Sequence, residues 1–211
     1  MSATAIDLDL NRLLNAYRGV PTPLVSDNLD RYPGAVGIKP LHGAAPLLGV
    51  AYTVRTRSGD NLAIHKALEN VKPGQVIVVD GGGDESRALV GEIMMEIAAA
   101  KGVLGFAIDG AIRDVAAFAA TQFPCFARSV IHRGPYKFGP GEQEVPVSIG
   151  GMPVSPGDIV IGDEDGILAI SPDVAQRILP GVQEQIRREA EIIESIRNGT
   201  YTGAYSAQKT A

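Results

Sequence analysis

Gly102-Val-Leu-Gly-Phe-Ala-Ile-Asp109-Gly110-Ala-Ile-Arg113-Asp114 decides the fold: an apolar run empties into a glycine-bearing turn with three charged side chains. Val103 to Ile108 is short, almost wholly apolar and flanked by glycine, the pattern of a strand buried on both faces of an α/β sheet. Asp109, Arg113 and Asp114 then fall just past its carboxyl end, where loops and helix N-termini converge in open parallel sheets and ligands bind. Two carboxylates and a guanidinium there suit a metal or an anion. They suit equally the first turn of a helix over Ala111 to Ala120, with the acid complementing the dipole and Arg113 paired to Asp109 or Asp114.

One step back along the chain, Gln75 to Asp80 reads as another buried strand, followed by Asp80-Gly-Gly-Gly-Asp84 and a predicted helix over Ser86 to Lys101 with apolar positions 89, 90, 93, 94 and 97. A glycine loop running into a helix N-terminus exposes backbone N–H groups to an anion; a tight turn needing positive φ is the plainer reading. The spacing is neither GxGxxG nor a Walker A motif, so no nucleotide is called for. Glu92 falls in the second turn of that helix, off its apolar stripe and near the same sheet edge.

Further out, apolar spacing predicts a helix over residues 6–18, stopped by Gly19, and another over Pro23 to Tyr32, on which Asp27 reads as a capping or solvated acid. Leu47 to Thr56 and Phe123 to Val130 read as strands, and Leu62 to Glu69 as a helix. Val145 to Ile170 carries hairpin signals at Gly150-Gly151 and Asp165-Gly166. Residues 173–197 are predicted helical with an interruption at Pro180-Gly181. The charged part from Val182 to Arg197 reads as a solvated face or as a surface lying across a neighbouring subunit, and residues 199–211 as a poorly ordered tail.

Composition narrows the class. A chain of 211 residues supports one substantial core, so a single domain over residues 1–198 is expected. No run spans a bilayer and no basic-then-apolar leader is visible at the N-terminus, which points to the cytoplasm. A net charge of -5 and the lack of tryptophan argue against a nucleic-acid partner. Cys125, among Phe123, Pro124 and Phe126, reads as a buried inert thiol. His42, His65 and His132 are too scattered for a zinc site, and His65 reads as a packed or interfacial histidine.

Four motifs in order, Gly59-Asp-Asn-Leu-Ala-Ile-His-Lys-Ala-Leu, Asp80-Gly-Gly-Gly-Asp with Ala88-Leu-Val-Gly91-Glu92, Asp109-Gly-Ala-Ile-Arg113-Asp114 and Pro156-Gly-Asp-Ile-Val-Ile-Gly-Asp-Glu-Asp-Gly-Ile-Leu-Ala-Ile, resemble the RraA-like family over roughly residues 20–195. That family includes class II 4-hydroxy-4-methyl-2-oxoglutarate/4-carboxy-4-hydroxy-2-oxoadipate aldolases and the regulators of ribonuclease activity A. The resemblance implies a single-domain α/β/α sandwich of swivelling-domain-like type, assembled as a homotrimer or homohexamer with the site between subunits. It further implies a divalent-metal-dependent pyruvate aldolase with oxaloacetate decarboxylase side activity, using Mg2+ or Mn2+ on small 2-oxo acids. By resemblance Asp114 would bind the metal, Glu92 would hold metal-bound waters and Arg113 would pair with the oxygen that becomes an enolate. Backbone amides across Gly82, Gly83, Ala88, Leu89 and Gly91 would bind the pyruvyl carboxylate, and Asp27 and Glu189 would come from a neighbouring subunit. Ala117 stands where many members carry an acid, a departure that bears on which hydroxy acid is accepted. The competing class within the family is a protein inhibitor of an RNase E-type nuclease, which needs no catalysis.

Overall fold

Alternate residues of the central strands feed two different cores. Val76 and Val78 pack on one side of the sheet while Ile77 and Val79 pack on the other, and Ala107 is likewise opposed to Phe106 and Ile108. A strand buried on both faces needs an apolar residue at every position, which is why these runs read as continuous rather than alternating. The computed structural model describes residues 5–32 and 34–203; the expectation of a poorly ordered tail lies outside the described residues from residue 204 onward.

The helices are α1 (Ala5–Ala16), α2 (Thr22–Asp27), α3 (Leu62–Asn70), α4 (Glu92–Ala100), α5 (Val115–Thr121) and α6 (Pro172–Arg197). The strands are β1 (Lys39–Pro40), β2 (Leu47–Thr56), β3 (Gln75–Val90), β4 (Gly105–Ile112), β5 (Cys125–Val130), β6 (Gly141–Gln143), β7 (Val147–Ile149), β8 (Met152–Val154), β9 (Ile159–Asp163) and β10 (Gly166–Ile170). The main sheet has the order β1-β5-β4-β3-β2-β9-β10, with β6 also pairing to β2. β2, β3, β4 and β5 are mutually parallel, and β9 and β10 extend the sheet antiparallel.

Leu13 and Tyr17, Val25 of α2, Ala175 and Val182 of α6 and the β7–β8 hairpin close one core. Residues of α3, α4 and α5, among them Ile64, Met95 and Phe118, close the other. The result is the expected α/β/α sandwich. Tyr17 ties its layer together: its buried hydroxyl donates to Ala175 O at 2.7 Å, and burial pushes its pKa up to about 12.

Several boundaries differ from the expectation, each for a local reason. β3 does not end at Asp80; the segment Asp80 to Val90 runs opposite Asp109 to Ile112 with repeated register shifts, so residues 81–83 and 85–87 bulge out on either side of the Asp84–Gly110 pair, and Ala88 and Val90 rejoin the ladder opposite Ala111 and Ile112. The apolar residues Leu89 and Val90 are therefore strand residues, and α4 starts only at Glu92. β4 likewise continues to Ile112, fully buried throughout, which delays α5 to Val115 and leaves Arg113 and Asp114 in the connection. The segment expected as a helix to Tyr32 stops at Asp27, after which Asp30 and Arg31 turn at positive φ. α6 runs unbroken through Pro180, opened by Ser171, whose hydroxyl accepts the Val174 N–H.

Candidate active site

The carboxyl ends of β3 and β4 lie side by side, and the connection after each contributes to one small open cleft of about 110 Å³. Ala88, Leu89, Val90 and Gly91 line it from β3, Ile93 and Met94 from α4, Arg113 and Asp114 from the β4–α5 connection, Asn61 and His65 from α3 and its approach, and Pro135 and Lys137 from the loop after β5.

Asp114 sits at φ 58°, a left-handed conformation that Asp and Asn tolerate better than most residues. This turn swings its carboxylate away from its own helix toward the next one: Oδ2 accepts the Glu92 N–H at 3.0 Å and lies 3.5 Å from Arg113 Nε. Its other oxygen, Oδ1, has no hydrogen-bond partner among the described residues. Both side chains remain partly exposed, 44% for Arg113 and 42% for Asp114, so a ligand can reach them. Gly91 makes the approach possible. Its backbone is extended, but a Cβ there would strike the Asp114 carboxylate and come within 3.1 Å of Arg113 Nε. Glu92 itself is exposed at the first position of α4.

Lys137 also lines the cleft. Its Nζ donates to Asn61 Oδ1 at 3.2 Å and lies 2.9 Å from His65 Nε2. An ammonium can only donate, so Nε2 accepts and His65 is the neutral tautomer protonated at Nδ1. Burial and the neighbouring Lys137 charge hold the His65 pKa below its usual value, against the opposing pull of Glu69. Asn61 in turn donates to Leu89 O at 2.9 Å, binding the α3 approach to the cleft floor. The sequence signals for Lys137 and Asn61 were weak: a lysine in a glycine- and proline-rich loop, and an asparagine at a helix start.

Other expected residues lie elsewhere. Gly82 and Gly83, at φ 68° and 70°, belong to the looped-out segment of β3, beside Ser58 and Arg128 rather than on the cleft wall. Asp27 and Glu189 are brought together, both accepting from Gln185 Nε2, at 3.2 and 2.9 Å. They stand on α2 and α6, on the opposite side of the sheet from α4. Asp109 is buried, ion-paired to Arg128 and accepting the Gly150 N–H at 2.9 Å, so it braces β4 against β5 and the β7–β8 hairpin. Cys125 is fully buried and burial pushes its thiol pKa up. His42, also buried, bridges the Cys125 backbone and Ala45 O, a structural role.

The cleft therefore pairs two cationic side chains and a helix N-terminus with one carboxylate. That arrangement binds anions and leaves hard oxygen donors for a cation. A family model described as RraA-like, Aldolase/RraA, matches residues 22–169, which span β2, both parallel strands of the cleft and every residue lining it. The chain belongs to the RraA-like family. Among RraA-like relatives, a Halalkalibacterium halodurans protein named "Putative 4-hydroxy-4-methyl-2-oxoglutarate aldolase" is 40% identical over 180 residues, covering 85% of this chain and 83% of that one. An uncharacterized protein from Pseudomonas syringae superimposes with a TM-score of 0.82 at 27% identity, over 90% of both chains. Streptomyces coelicolor RraAS2, described as an unusual member of the RNase ES inhibitor RraA protein family, gives 0.78 at 25% identity over 85% of this chain and 94% of that one. The sandwich matches the swivelling-domain architecture of RraA-like proteins. No helix among the described residues is long and apolar enough to cross a membrane.

Proposed function

We propose that the chain is a divalent-metal-dependent class II pyruvate aldolase, cleaving 4-hydroxy-2-oxo acids of the 4-hydroxy-4-methyl-2-oxoglutarate or 4-carboxy-4-hydroxy-2-oxoadipate type, with oxaloacetate decarboxylation as a side activity. The observation that carries this reading is the convergence of Arg113, Asp114 and the α4 N-terminus on one open cleft that Lys137 also lines. The name of the 40% identical relative supports it.

The donor set suits Mg2+ or Mn2+. Among the described residues no three His, Cys, Asp or Glu converge, so no all-protein cage is present. Mg2+ commonly uses only one or two carboxylates and completes its shell with water and substrate oxygens, a role open to Asp114 Oδ1 with Glu92 nearby. Such a cation, when bound, supplies Lewis-acid stabilisation of the charge developing on the substrate's keto oxygen.

The rest of the chemistry falls to the chain. The α4 N-terminus and the Leu89–Gly91 floor take the pyruvyl carboxylate. Arg113, always protonated, donates to the keto oxygen as it becomes an enolate oxygen. Lys137 faces a second carboxylate, as a dicarboxylic substrate would require. Removing the 4-hydroxyl proton lets the C3–C4 bond break, its electron pair passing to the C2 oxygen, and reprotonation at C3 releases pyruvate. Glu92, Asp27 and Glu189 are the acids proposed to take the hydroxyl proton. The last two lie on the opposite layer and would act from a neighbouring copy in a homotrimer or homohexamer. In this reading the enzyme works in the cytoplasm.

The test is oxaloacetate decarboxylation with added Mg2+ or Mn2+, with and without EDTA. Metal-dependent turnover that falls on the order of 100-fold in Arg113→Ala is expected. Absence of metal-dependent turnover, or full activity in that variant, overturns the reading. The likeness to RraAS2 favours the second reading, a nuclease inhibitor, which would show inhibition of an RNase E-type enzyme without turnover.

A further inference from the structure

The cleft wall that carries Lys137 is a strap, residues 134–140, that lies over the turn at residues 57–62 without an apolar anchor of its own. Tyr136 is 41% exposed and Phe138 is 79% exposed, so burial of these rings does not set the strap's position. Hydrogen bonds do. Tyr136 N donates to Gly59 O and Asn61 N donates to Tyr136 O, pairing the strap with the turn. Arg87 stacks on the Tyr136 ring at 3.9 Å and donates to Gly134 O.

At the centre is a fully buried carboxylate. Asp60 Oδ2 accepts the N–H groups of Phe138 at 2.7 Å and Gly139 at 3.0 Å, and Oδ1 accepts Leu62 N at 2.9 Å. The two strap donors immediately follow Lys137 in the chain. Hydrogen bonds to an ionised acceptor are roughly twice as strong as neutral ones, and these two reach the strap backbone directly beside Lys137.

We propose that Asp60 is the positioning residue for Lys137: by accepting the Phe138 and Gly139 N–H groups, its buried carboxylate holds the strap so that the Lys137 ammonium stands in the cleft that Arg113 also lines. The functional consequence of this placement rests on the aldolase reading; the placement itself does not. Asp60 touches no substrate. It acts through three links, Asp60 to the strap backbone, the backbone to Lys137, and Lys137 to Asn61 and His65.

The experiment uses the full chain in two arms. In the first, the His65 ring is titrated by NMR in the wild type, Asp60→Asn, Lys137→Ala and the double variant. Burial and, after it, the Lys137 charge hold His65 low, with Glu69 opposing, so removing the ammonium raises the midpoint. Asp60→Asn is expected to raise it comparably, and the double variant no further than Lys137→Ala. In the second arm, oxaloacetate decarboxylation with Mg2+ is expected to show KM raised about tenfold in Asp60→Asn with kcat within about threefold, and no added loss in the double variant. Phe138→Pro, which removes one strap donor at an exposed position, replaces Asp60→Asn if that variant does not fold. A His65 midpoint left unmoved by the Asp60 or Phe138 variant overturns the proposal, as do additive KM effects. Lack of turnover in the wild type counts against the aldolase reading alone, and the His65 titration still decides the positioning role.

Discussion

Asp114 caps a helix that begins twenty-two residues before it in the chain: its Oδ2 accepts the Glu92 N–H at 3.0 Å, while Arg113 Nε stands 3.5 Å from the same oxygen. One carboxylate oxygen is thus spent on holding α4 against the β4–α5 connection, and the other has no hydrogen-bond partner among the described residues. The two tasks can be separated by substitution. Asn tolerates the left-handed backbone at this position and keeps an acceptor for the Glu92 N–H. Asp114→Asn is expected to melt within a few degrees of the wild type while metal-dependent turnover drops on the order of 100-fold. Asp114→Ala loses the cap as well, about 1 kcal/mol more in stability. Thermal melts beside decarboxylase assays check both.

Gly91 is required for space rather than for backbone freedom. Its φ of -155° is open to any residue, yet an added Cβ would strike Asp114 and crowd Arg113. Gly91→Ala is expected to displace both side chains, with turnover falling at least about tenfold and stability changing by about 1 kcal/mol. Activity that survives intact in this variant would remove Arg113 and Asp114 from the chemistry as a pair.

Asp109 and Arg128 form a half-buried ion pair that braces the sheet below the cleft. Removing the arginine strands a largely buried carboxylate, which costs about 3 kcal/mol. Urea denaturation of Arg128→Ala should show that loss, and adding Asp109→Asn should recover part of it because the uncompensated charge is gone.

Acid should weaken the strap's anchor. Burial raises the Asp60 pKa, but the Leu62, Phe138 and Gly139 N–H groups and the Arg57 charge outweigh it, leaving the value below the ordinary carboxylate range. A folded-state pKa below the unfolded one contributes stability that is complete above the unfolded value, about 4, and is lost as pH falls through the folded value. Stability measured by urea denaturation from pH 6 downward should therefore decline more steeply below about pH 4 in the wild type than in Asp60→Asn. Parallel slopes would show that Asp60 does not contribute this way.

Much of this protein was legible from the chain alone. The continuous apolar runs at Gln75–Asp80 and Val103–Ile108 predicted parallel strands buried on both faces, because a doubly covered strand tolerates no polar alternation. The Arg113-Asp114 turn past the second run was expected at the carboxyl end of the sheet, and it lines the cleft there. The boundaries were less readable. Leu89 and Val90 sit at spacings that suit either a helix face or a strand end, and only the pairing of Ala88 with Ala111 and of Val90 with Ile112 across the ladder decides for the strand.

The residues that complete the cleft depended on tertiary structure. Lys137 and Asn61 are separated by 76 positions, and nothing local in either segment marks a site. They meet because the loop after β5 lies back over the α3 approach, held there by the buried Asp60 carboxylate. The sequence by itself determined the buried strands of an α/β sheet and the Arg113-Asp114 turn, since apolar runs and turn residues are local properties of a chain, and its motifs carried the family resemblance that implied the sandwich. Which groups share the cleft with Arg113, and that Asp114 caps α4 rather than α5, were decided only by folding, because those contacts join segments that the chain alone does not order.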